Sequence, residues 1–478
     1  MKSKLLQSRV AKNAGWLIGA KVAQMLINLA VSILVTRFLG PSNFGLINYG
    51  TAYTAFFLSL CTLGLNSILV KEFVDCRWEQ GTVLGTALVL RAISSALSAV
   101  MILCIVSIVD RDDPTAIAVT ALCSLGLLFN IFDVFNYWFQ SRLESKVTAL
   151  AALCAYVVTA VYKVALYVMG KSVTWFAFAT SVDYIVLAVL LLACYQRHGG
   201  TRLRFSWACG RDLLKRSYHF ILPGMMVAIY GYVDKFMLKH MINDAEIGYY
   251  STAVSVCSMW SFVLSAIIDS VYPSIMEAYQ TDRELYLRRN RQLYAIVFYV
   301  SAAVSVVIAL LGKYVIWLLY GQAYLPAAAP LRVITWYTAF SYLGVARNAW
   351  VVCEGKQRYL KYLYLSAAVI NVVLNLLLIP GGGAVGAAAA SLLTQAATIL
   401  AAPMLIPAMR ENTRLMLQAI LLRDVLPRRE TADNAKSSGD PKISGAFAIS
   451  FSPHKAIHNA GVALDDAHYL HGYVLGGV

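Results

Sequence analysis

The stretch TRFLGPSNFGLINYGTA, residues 36–52, is echoed 203 residues later by KHMINDAEIGYYSTA, residues 239–253. Each copy ends an apolar segment at a cation, crosses a short polar turn and resumes at a glycine, Gly45 or Gly248. We interpret the pair as one corner built twice, between the first and second helix of each half of a repeated fold. Two unrelated polar turns remain the alternative, because the match is short.

The composition places these helices in a membrane. Of the 478 residues, 59% are hydrophobic and 14% are charged, whereas soluble domains average about 25% charged residues. A helix that crosses the hydrocarbon core needs ~20 mainly apolar residues. A transmembrane β-barrel is excluded because the apolar runs are continuous and do not alternate. Twelve windows are long enough, at residues 14–36, 44–70, 83–109, 115–139, 147–169, 172–194, 217–242, 246–276, 292–312, 326–350, 358–379 and 383–407.

Basic residues concentrate on one side of these helices. With the N-terminus inside, the predicted cytoplasmic segments carry 26 Lys or Arg and the external turns carry five. This asymmetry follows the positive-inside rule and places both termini in the cytoplasm. Topology and anionic lipid headgroups therefore explain the net charge of +15, with no remaining argument for nucleic acid. The first window is too long for a signal peptide, so we expect a retained helix.

One long basic segment divides the twelve helices into six and six. Because six is even, both halves enter the membrane from the same side, and a repeat would be parallel. We therefore expect an all-α integral membrane protein with two parallel six-helix bundles around a central cavity. The tail lacks sustained periodicity, which predicts flexibility. The expected parts are the N-terminal bundle 1–195, the cytoplasmic basic linker 196–216, the C-terminal bundle 217–410 and a cytoplasmic tail 411–478.

Ionisable residues inside the apolar windows are the most informative about function. Each costs ~2.5–3.5 kcal/mol on an insertion scale and normally faces a partner or a water-filled cavity. Six cations stand against four carboxylates, an imbalance that pairing cannot remove. The ten residues are Lys21, Arg91, Lys163, Lys235, Arg332, Arg347, Asp133, Asp183, Asp234 and Asp269.

Depth along the helices, at ~1.5 Å per residue, indicates which of these charges lie at similar levels. Arg91 and Asp133 lie at nearly the same depth, which is compatible with an ion pair. Lys163 and Asp183 differ by ~8 Å in depth, which a long lysine side chain can span. Arg347 is close enough to the inner face to snorkel.

The cations without an evident partner are Lys21, Lys235 and Arg332. Either they snorkel or pair in ways that the sequence does not show, or they line a cationic cavity together with Arg91. Such a cavity would suit a phosphate or pyrophosphate, because fixed cationic donors replace the water lost there. Polar residues at helical spacing fit the same cavity. The candidate substrate residues are Lys21, Arg91, Lys163, Lys235, Arg332, Asn28 and Asn375.

No catalytic or metal-binding constellation is recognised. The DRDD of residues 110–113 resembles a metal-binding D-x-D, but it occupies a short external turn with no domain around it. The nine cysteines have no C-x-x-C spacing, and the tail histidines have no fold to support a metal site. A phosphate loop of the form G-x-x-x-x-G-K-[ST] is absent. We therefore expect a transporter without a cofactor, driven by a gradient or by downhill substrate flow, and not an enzyme.

Four segments in series resemble Wzx-type polysaccharide and O-antigen flippases. NAGWLIGAKVAQMLINLAVSILVTRFLGPSNFGLINYGTA has the R-x-L-G, turn and F-G of their start, and YVDKFMLKHMINDAEIGYYSTA has the D-x-x-x-L and G-Y-Y of their second half. LYGQAYLPAAAPLRVITW is similar to the segment that enters the tenth helix, and NVVLNLLLIPGGGAVGAAAASLLTQ to helices eleven and twelve. Together the four cover roughly residues 10–410, in order and spacing.

The resemblance implies a member of the multidrug/oligosaccharidyl-lipid/polysaccharide exporter superfamily, with two bundles in a V. It would move an undecaprenyl-pyrophosphate-linked oligosaccharide to the outer leaflet of the bacterial cytoplasmic membrane by alternating access, with cationic cavity residues holding the pyrophosphate. Coupling to H⁺ or Na⁺ is unsettled in the family. Asp133, Asp183 and Asp234 are the coupling candidates, with ion pairing as their alternative role. The implied partners are the lipid-linked oligosaccharide, membrane lipids, and polysaccharide polymerase and chain-length machinery.

Other functions stay open at this point. A drug or metabolite antiporter of the same superfamily would need an acidic cavity for cationic drugs, whereas the charges counted above are mainly basic. A lipid II flippase usually has two further C-terminal helices. A membrane glycosyltransferase or polymerase would need a sizeable external domain, and the longest external turn here is about ten residues.

Overall fold

The computed structural model describes the protein from residue 2 to residue 423. Within this part of the chain every regular element is a helix. The side chain of Lys21 and the tail beyond residue 423, with its histidines, lie outside the described residues, so the expectations for them stay predictions. Side chains are described throughout, except at residues 2–18, 20–23, 26 and 67.

The first half of the described chain runs as far as residue 197. A 3-10 turn joins α4 to α5, so the two form one continuous span. The helices are α1 Lys2–Thr62, α2 Asn66–Asp75, α3 Gln80–Val109, α4 Pro114–Phe129, α5 Val134–Ser141, α6 Ser145–Val168 and α7 Val173–Arg197.

The second half begins at residue 207 and ends in a short helix beyond the last membrane span. A π-helical segment, Ala397–Ala401, continues α14 into α15. The helices are α8 Trp207–Met241, α9 Asp244–Ser258, α10 Ser261–Thr281, α11 Arg283–Tyr320, α12 Ala328–Ile334, α13 Tyr337–Cys353, α14 Leu360–Ala396, α15 Ala402–Leu405 and α16 Arg410–Ile420.

Two glycines divide long helices into pairs of membrane spans. Gly40 in α1 has φ 73° and Gly383 in α14 has φ 52°, a region that residues with a Cβ rarely occupy. Nine helical stretches of the described chain are long and apolar enough to cross a membrane, and they include these two broken helices. The short helices α12 and α13 together cover the predicted window 326–350. The predicted class, about twelve transmembrane helices in two six-helix bundles, is confirmed.

The two quoted turns lie against each other where the halves meet. A Cβ built on Gly45 would lie 1.9 Å from the carbonyl oxygen of Asp244, and one built on Gly248 would lie 2.1 Å from that of Pro41. Asp244 follows Pro41 by the same 203 residues that separate the glycines, so the contact is reciprocal. We call this end of the molecule the turn end. The opposite end, which carries the connection 198–206, is the linker end.

Apolar packing joins the two halves toward the turn end. One buried cluster combines Tyr49 of the first half with Tyr250 and Tyr324 of the second. Toward the linker end a cluster around Trp138 joins the first half to the start of α8 through Cys209 and Leu213, and the rest of the second half has another cluster around Trp350. The halves therefore separate toward the linker end, which leaves space between them.

Two boundaries differ from the predictions. Helix α8 begins at Trp207, inside the segment 196–216 that was predicted to be linker. Helix α16 occupies the start of the predicted flexible tail, and its Leu415 and Met416 are buried. Both corrections have one reason: a search for ~20 apolar residues finds membrane spans, but it misses amphipathic turns that keep charged residues on one face.

Candidate functional site

A cavity of about 1240 Å³ lies between the two halves. Helices α1, α2, α4, α5 and α7 of the first half and α8, α9, α13 and α14 of the second contribute to its walls. Lys71 and Val74 line it near the linker end and are exposed, whereas Tyr250 and Ser251 line it toward the turn end and are buried. The cavity is therefore open at the linker end and closed at the turn end.

Lys235 places a cation in the cavity wall where the halves meet. Its Nζ donates to Asn48 Oδ1 of α1 at 3.3 Å and lies 5.3 Å from the centre of the Tyr232 ring. All three residues line the cavity. Because Asn48 belongs to the first half, the ammonium links the halves and stays within reach of an anionic group in the cavity.

The neighbouring carboxylate, Asp234, points into the second half and is 2% exposed. It accepts hydrogen bonds from the hydroxyls of Tyr250 and of Ser391, the latter at 3.5 Å. The backbone N–H of Lys235 also donates to it at 2.9 Å. Successive residues on a helix lie ~100° apart, so the carboxylate and the ammonium contact different neighbours.

Arg91 lies one layer behind the cavity wall. It is 1% exposed, and its Nη2 donates to Asn66 Oδ1 while the guanidinium lies 5.8 Å from the centre of the Tyr137 ring. Asn66 and Tyr137 line the cavity. The other guanidinium nitrogens, Nε and Nη1, have no hydrogen-bond partner among the described residues. In the described part of the chain, Arg91 and Asp133 form no ion pair within 4 Å; the Asp133 carboxylate accepts a hydrogen bond from Asn136 at 3.5 Å.

The remaining candidates do not line the cavity. Asp183 accepts a hydrogen bond from Thr159 at 3.4 Å, and no ion pair within 4 Å joins it to Lys163 in the described structure. Arg332 and Asn28 are exposed on the outside of the bundles. These three corrections share a cause, since helical rise gives the depth of a residue but not the direction of its side chain. Asn375 is buried behind the cavity-lining Asn371, to which it donates at 3.0 Å.

The described lining of the cavity does not carry the expected excess of cations, while Lys21 remains outside the described side chains. Two lysines and two aspartates line it, Lys71, Lys235, Asp75 and Asp234, so the charges of the described lining balance. Tyr230 and Tyr232 stand close to Asp234 and Lys235 in the sequence and could be singled out there, whereas the other tyrosines of the cavity could not. With 28 tyrosines in the chain, only the packed structure separates the cavity group. Its members are Tyr137, Tyr184, Tyr230, Tyr232, Tyr250, Tyr337 and Tyr342.

A cluster of charges closes the turn end, and we call it the turn-end lock. Lys239 of the second half lies 2.9 Å from Asp113 and 3.8 Å from Asp110, both of the first half, and 2.9 Å from Asp244. Tyr49 donates to Asp110 at 2.6 Å. The DRDD stretch, which carries no catalytic constellation, thus supplies two carboxylates to a contact between the halves.

The Asp113 carboxylate keeps its charge in this lock. Partial burial raises its pKa, but the backbone N–H of Ala116 and the Lys239 ammonium outweigh that effect and hold the pKa below its usual value. The ion pair is therefore complete at neutral pH. Its contribution to stability is present above the ordinary carboxyl pKa of about 4 and is lost as the pH falls through the lowered value.

Two six-helix halves around a cavity that opens at one end define a class of multi-pass membrane protein. The family follows from sequence comparison: the profile described as "Polysaccharide biosynthesis protein" matches residues 10–279. The chain belongs to this polysaccharide biosynthesis family, which confirms the recognition of a Wzx-type protein. No curated protein matches the chain in sequence.

Solved structures support the fold. A MATE-family multidrug resistance transporter of the MOP superfamily, in an inward-facing conformation, has a TM-score of 0.61 at 17% identity, covering 82% of this chain and 95% of its own. The lipid II flippase MurJ, inward closed, has a TM-score of 0.64 at 11% identity, covering 86% and 91%. A MOP-superfamily transporter from Pyrococcus furiosus has 0.57 at 15% identity, covering 87% and 94%. The protein therefore shares the fold of these solved structures and belongs to the polysaccharide biosynthesis family.

Proposed function

We propose that this protein is a flippase for an undecaprenyl-pyrophosphate-linked oligosaccharide. It would move this lipid from the inner to the outer leaflet of the bacterial cytoplasmic membrane, for a surface polysaccharide such as O-antigen, lipopolysaccharide or capsule. The observation that carries the proposal is the cavity between the halves, where tyrosine, hydroxyl and amide side chains surround Lys235. The polysaccharide biosynthesis family and the fold shared with a lipid II flippase support a lipid-linked substrate.

The cavity has the size and the chemistry that a glycan joined to pyrophosphate requires. Its volume of about 1240 Å³ exceeds the ~300–1,000 Å³ of sites for drug-sized ligands. Tyrosine rings give flat apolar faces for sugar rings, with a hydroxyl at the edge for hydrogen bonds. Lys235 supplies an ammonium for the pyrophosphate, and the guanidinium of Arg91 adds positive charge from behind the wall.

In this proposal the linker end faces the cytoplasm, together with both termini, as the distribution of basic residues predicts. The structure then represents an inward-facing state, and the head of the lipid enters past Lys71. The outward-facing state requires the turn-end lock and the glycine contacts to separate. Asp234 is the candidate for H⁺ or Na⁺ coupling, because it alone of the three predicted carboxylates lines the cavity. Polymerase and chain-length proteins would take over the exported lipid.

Replacing Lys239 by glutamine is expected to open the turn end. Loss of the ammonium leaves Asp110 buried without its cation, at a cost of about 1–3 kcal/mol to the closed state. Cys257 lines the cavity and is 2% exposed, so it reports opening. In spheroplasts, a membrane-impermeant maleimide should label Cys257 about tenfold faster in Lys239→Gln than in the unmodified protein.

Two controls accompany this measurement. Lys313→Gln removes an exposed lysine near the same end and should leave labelling unchanged. The increase must disappear when Cys257→Ser is added to Lys239→Gln, since other cysteines also react. Equal labelling of the Lys239 variant and the unmodified protein would show that the lock does not hold the turn end closed.

Replacing Arg91 by methionine is expected to lower surface polysaccharide about tenfold at equal amounts of folded protein. Methionine retains the length of the side chain but removes the charge behind the cavity wall and the hydrogen bond to Asn66. Arg332→Met is the matched control, because the sequence assigned both arginines to the cavity and the structure places only Arg91 there. A similar loss in both variants would contradict the assignment.

Deletion of the gene in the source bacterium tests the function itself. A flippase predicts loss of surface polysaccharide and accumulation of its lipid-linked oligosaccharide on the cytoplasmic side. The second candidate is a cation-coupled drug or metabolite antiporter of the same fold, which the balanced charges of the cavity and the buried Asp234 favour. Unchanged polysaccharide with increased sensitivity to cationic drugs would support the antiporter and overturn the flippase.

A further inference from the structure

A second, smaller cavity lies inside the second half of the protein. Its volume is about 30 Å³, and α8, α13, α14 and the π-helical segment Ala397–Ala401 enclose it. It shares Tyr230, Ser341 and Gln395 with the central cavity. The two cavities are therefore separated by single side chains, and a ligand in the small one lies beside the transport pathway.

Arg347 lies in the wall of this small cavity. The sequence predicted that it snorkels to the inner face, but the side chain is 3% exposed. Its Nε and Nη1 are buried and have no hydrogen-bond partner among the described residues, and no carboxylate lines the cavity. A buried guanidinium without a counter-charge is unfavourable, so an anion supplied from solution would satisfy it.

The lining chemistry suits an anion as well. Besides Arg347, the cavity is bordered by the hydroxyls of Tyr230, Tyr364 and Ser341 and by the amide of Asn348, all of which can donate hydrogen bonds. The π-helical segment contributes to the wall through residues 398 and 399. π-helical segments occur frequently at functional sites. This observation is independent of the charge of Arg347.

We propose that the Arg347 cavity is a binding site for a monatomic anion of the chloride class. Size decides the ligand: one water-sized sphere needs ~10–15 Å³ of this volume, so about 30 Å³ holds a single chloride and is too small for phosphate. The bound anion neutralises the guanidinium next to the central cavity. Binding of the anion therefore removes one net positive charge beside the central cavity. This holds for any substrate that the protein carries.

Chloride binding to the purified full-length protein tests the proposal. In gluconate buffer of constant ionic strength, radiolabelled chloride should bind saturably, and bromide should compete. Arg347→Gln should abolish this binding, and Tyr364→Phe should weaken it about fivefold while leaving the charge in place. Arg332→Gln, at an exposed arginine, should bind chloride as the unmodified protein does. Bromide soaked into crystals should give an anomalous peak beside Arg347.

Three outcomes would overturn the proposal. Unchanged chloride binding in Arg347→Gln would place the anion elsewhere. Competition by inorganic phosphate or pyrophosphate as strong as that by bromide would show that the site takes a polyatomic group, such as that of a lipid substrate. If Arg347→Gln does not fold, the test rests on Tyr364→Phe. Chloride binding by Tyr364→Phe equal to that of the unmodified protein would then contradict the site.

Discussion

Adding a single methyl group at Gly45 is expected to reduce transport by about tenfold or more. The new Cβ would lie 1.9 Å from the backbone carbonyl oxygen of Asp244, and a backbone group cannot move aside as a flexible side chain can. The turns must separate, so the turn end cannot close. Gly248→Ala should have the same effect, because its Cβ would meet the carbonyl of Pro41. Surface polysaccharide per amount of folded protein measures the loss.

A matched glycine distinguishes this contact from a general effect of alanine. Gly382 has open space around its Cβ position and no positive φ, so Gly382→Ala should transport normally. In both turn variants, external labelling of Cys257 should increase, since the closed state is disfavoured. Normal transport in Gly45→Ala would mean that close approach of the turns is not needed in the cycle.

Replacing Lys235 by alanine is expected to lower transport about thirtyfold or more. Truncation of one member of a desolvated charge pair costs about 2–5 kcal/mol, and 1.4 kcal/mol corresponds to a factor of ten. In the proposed function the lost partner is the pyrophosphate of the substrate. Lys235→Arg, which keeps the charge at a different geometry, should retain part of the activity. Transport is followed as surface polysaccharide, normalised to folded protein in the membrane.

Lys71 provides the comparison for Lys235. It also lines the cavity but is exposed near the linker end, where water competes for the same interaction. Lys71→Ala should therefore change transport about twofold at most. Equal losses in both variants would indicate a general requirement for positive charge. Normal transport in Lys235→Ala would exclude this lysine as the pyrophosphate ligand.

The membrane spans and the two halves could be predicted from the sequence, because hydropathy is a local property of the chain and does not depend on how the helices pack. The echo of the two turns also located a contact, although the sequence did not show that the turns touch. Helices α12 and α13 are each too short to span the membrane, but hydropathy predicted the window 326–350, which covers both. Membrane architecture is therefore well determined by composition along the chain.

The candidate site was predicted less well, since a cavity is defined by the directions of side chains. Arg91 and Arg332 have the same charge and similar apolar surroundings in sequence, yet the first lies behind the cavity wall and the second is exposed. Lys71 and Asp75 were assigned to a loop and contribute to the cavity mouth. The packing of helices from both halves decides these positions, and no single segment contains that information.

The reciprocal contact of the two turns has the geometry of a homodimer interface contained in one polypeptide. When two identical chains meet across a two-fold axis, one patch serves as both partners, and each contact occurs twice. Here Gly45 meets Asp244 as Gly248 meets Pro41, so each turn is at once the projecting and the receiving surface. A descendant of this protein that gains a side chain at either glycine alters the interface from one side only. Because each added Cβ would meet a backbone carbonyl, a change at the other glycine does not relieve the clash, and we expect glycine to be retained at both positions, although they lie 203 residues apart.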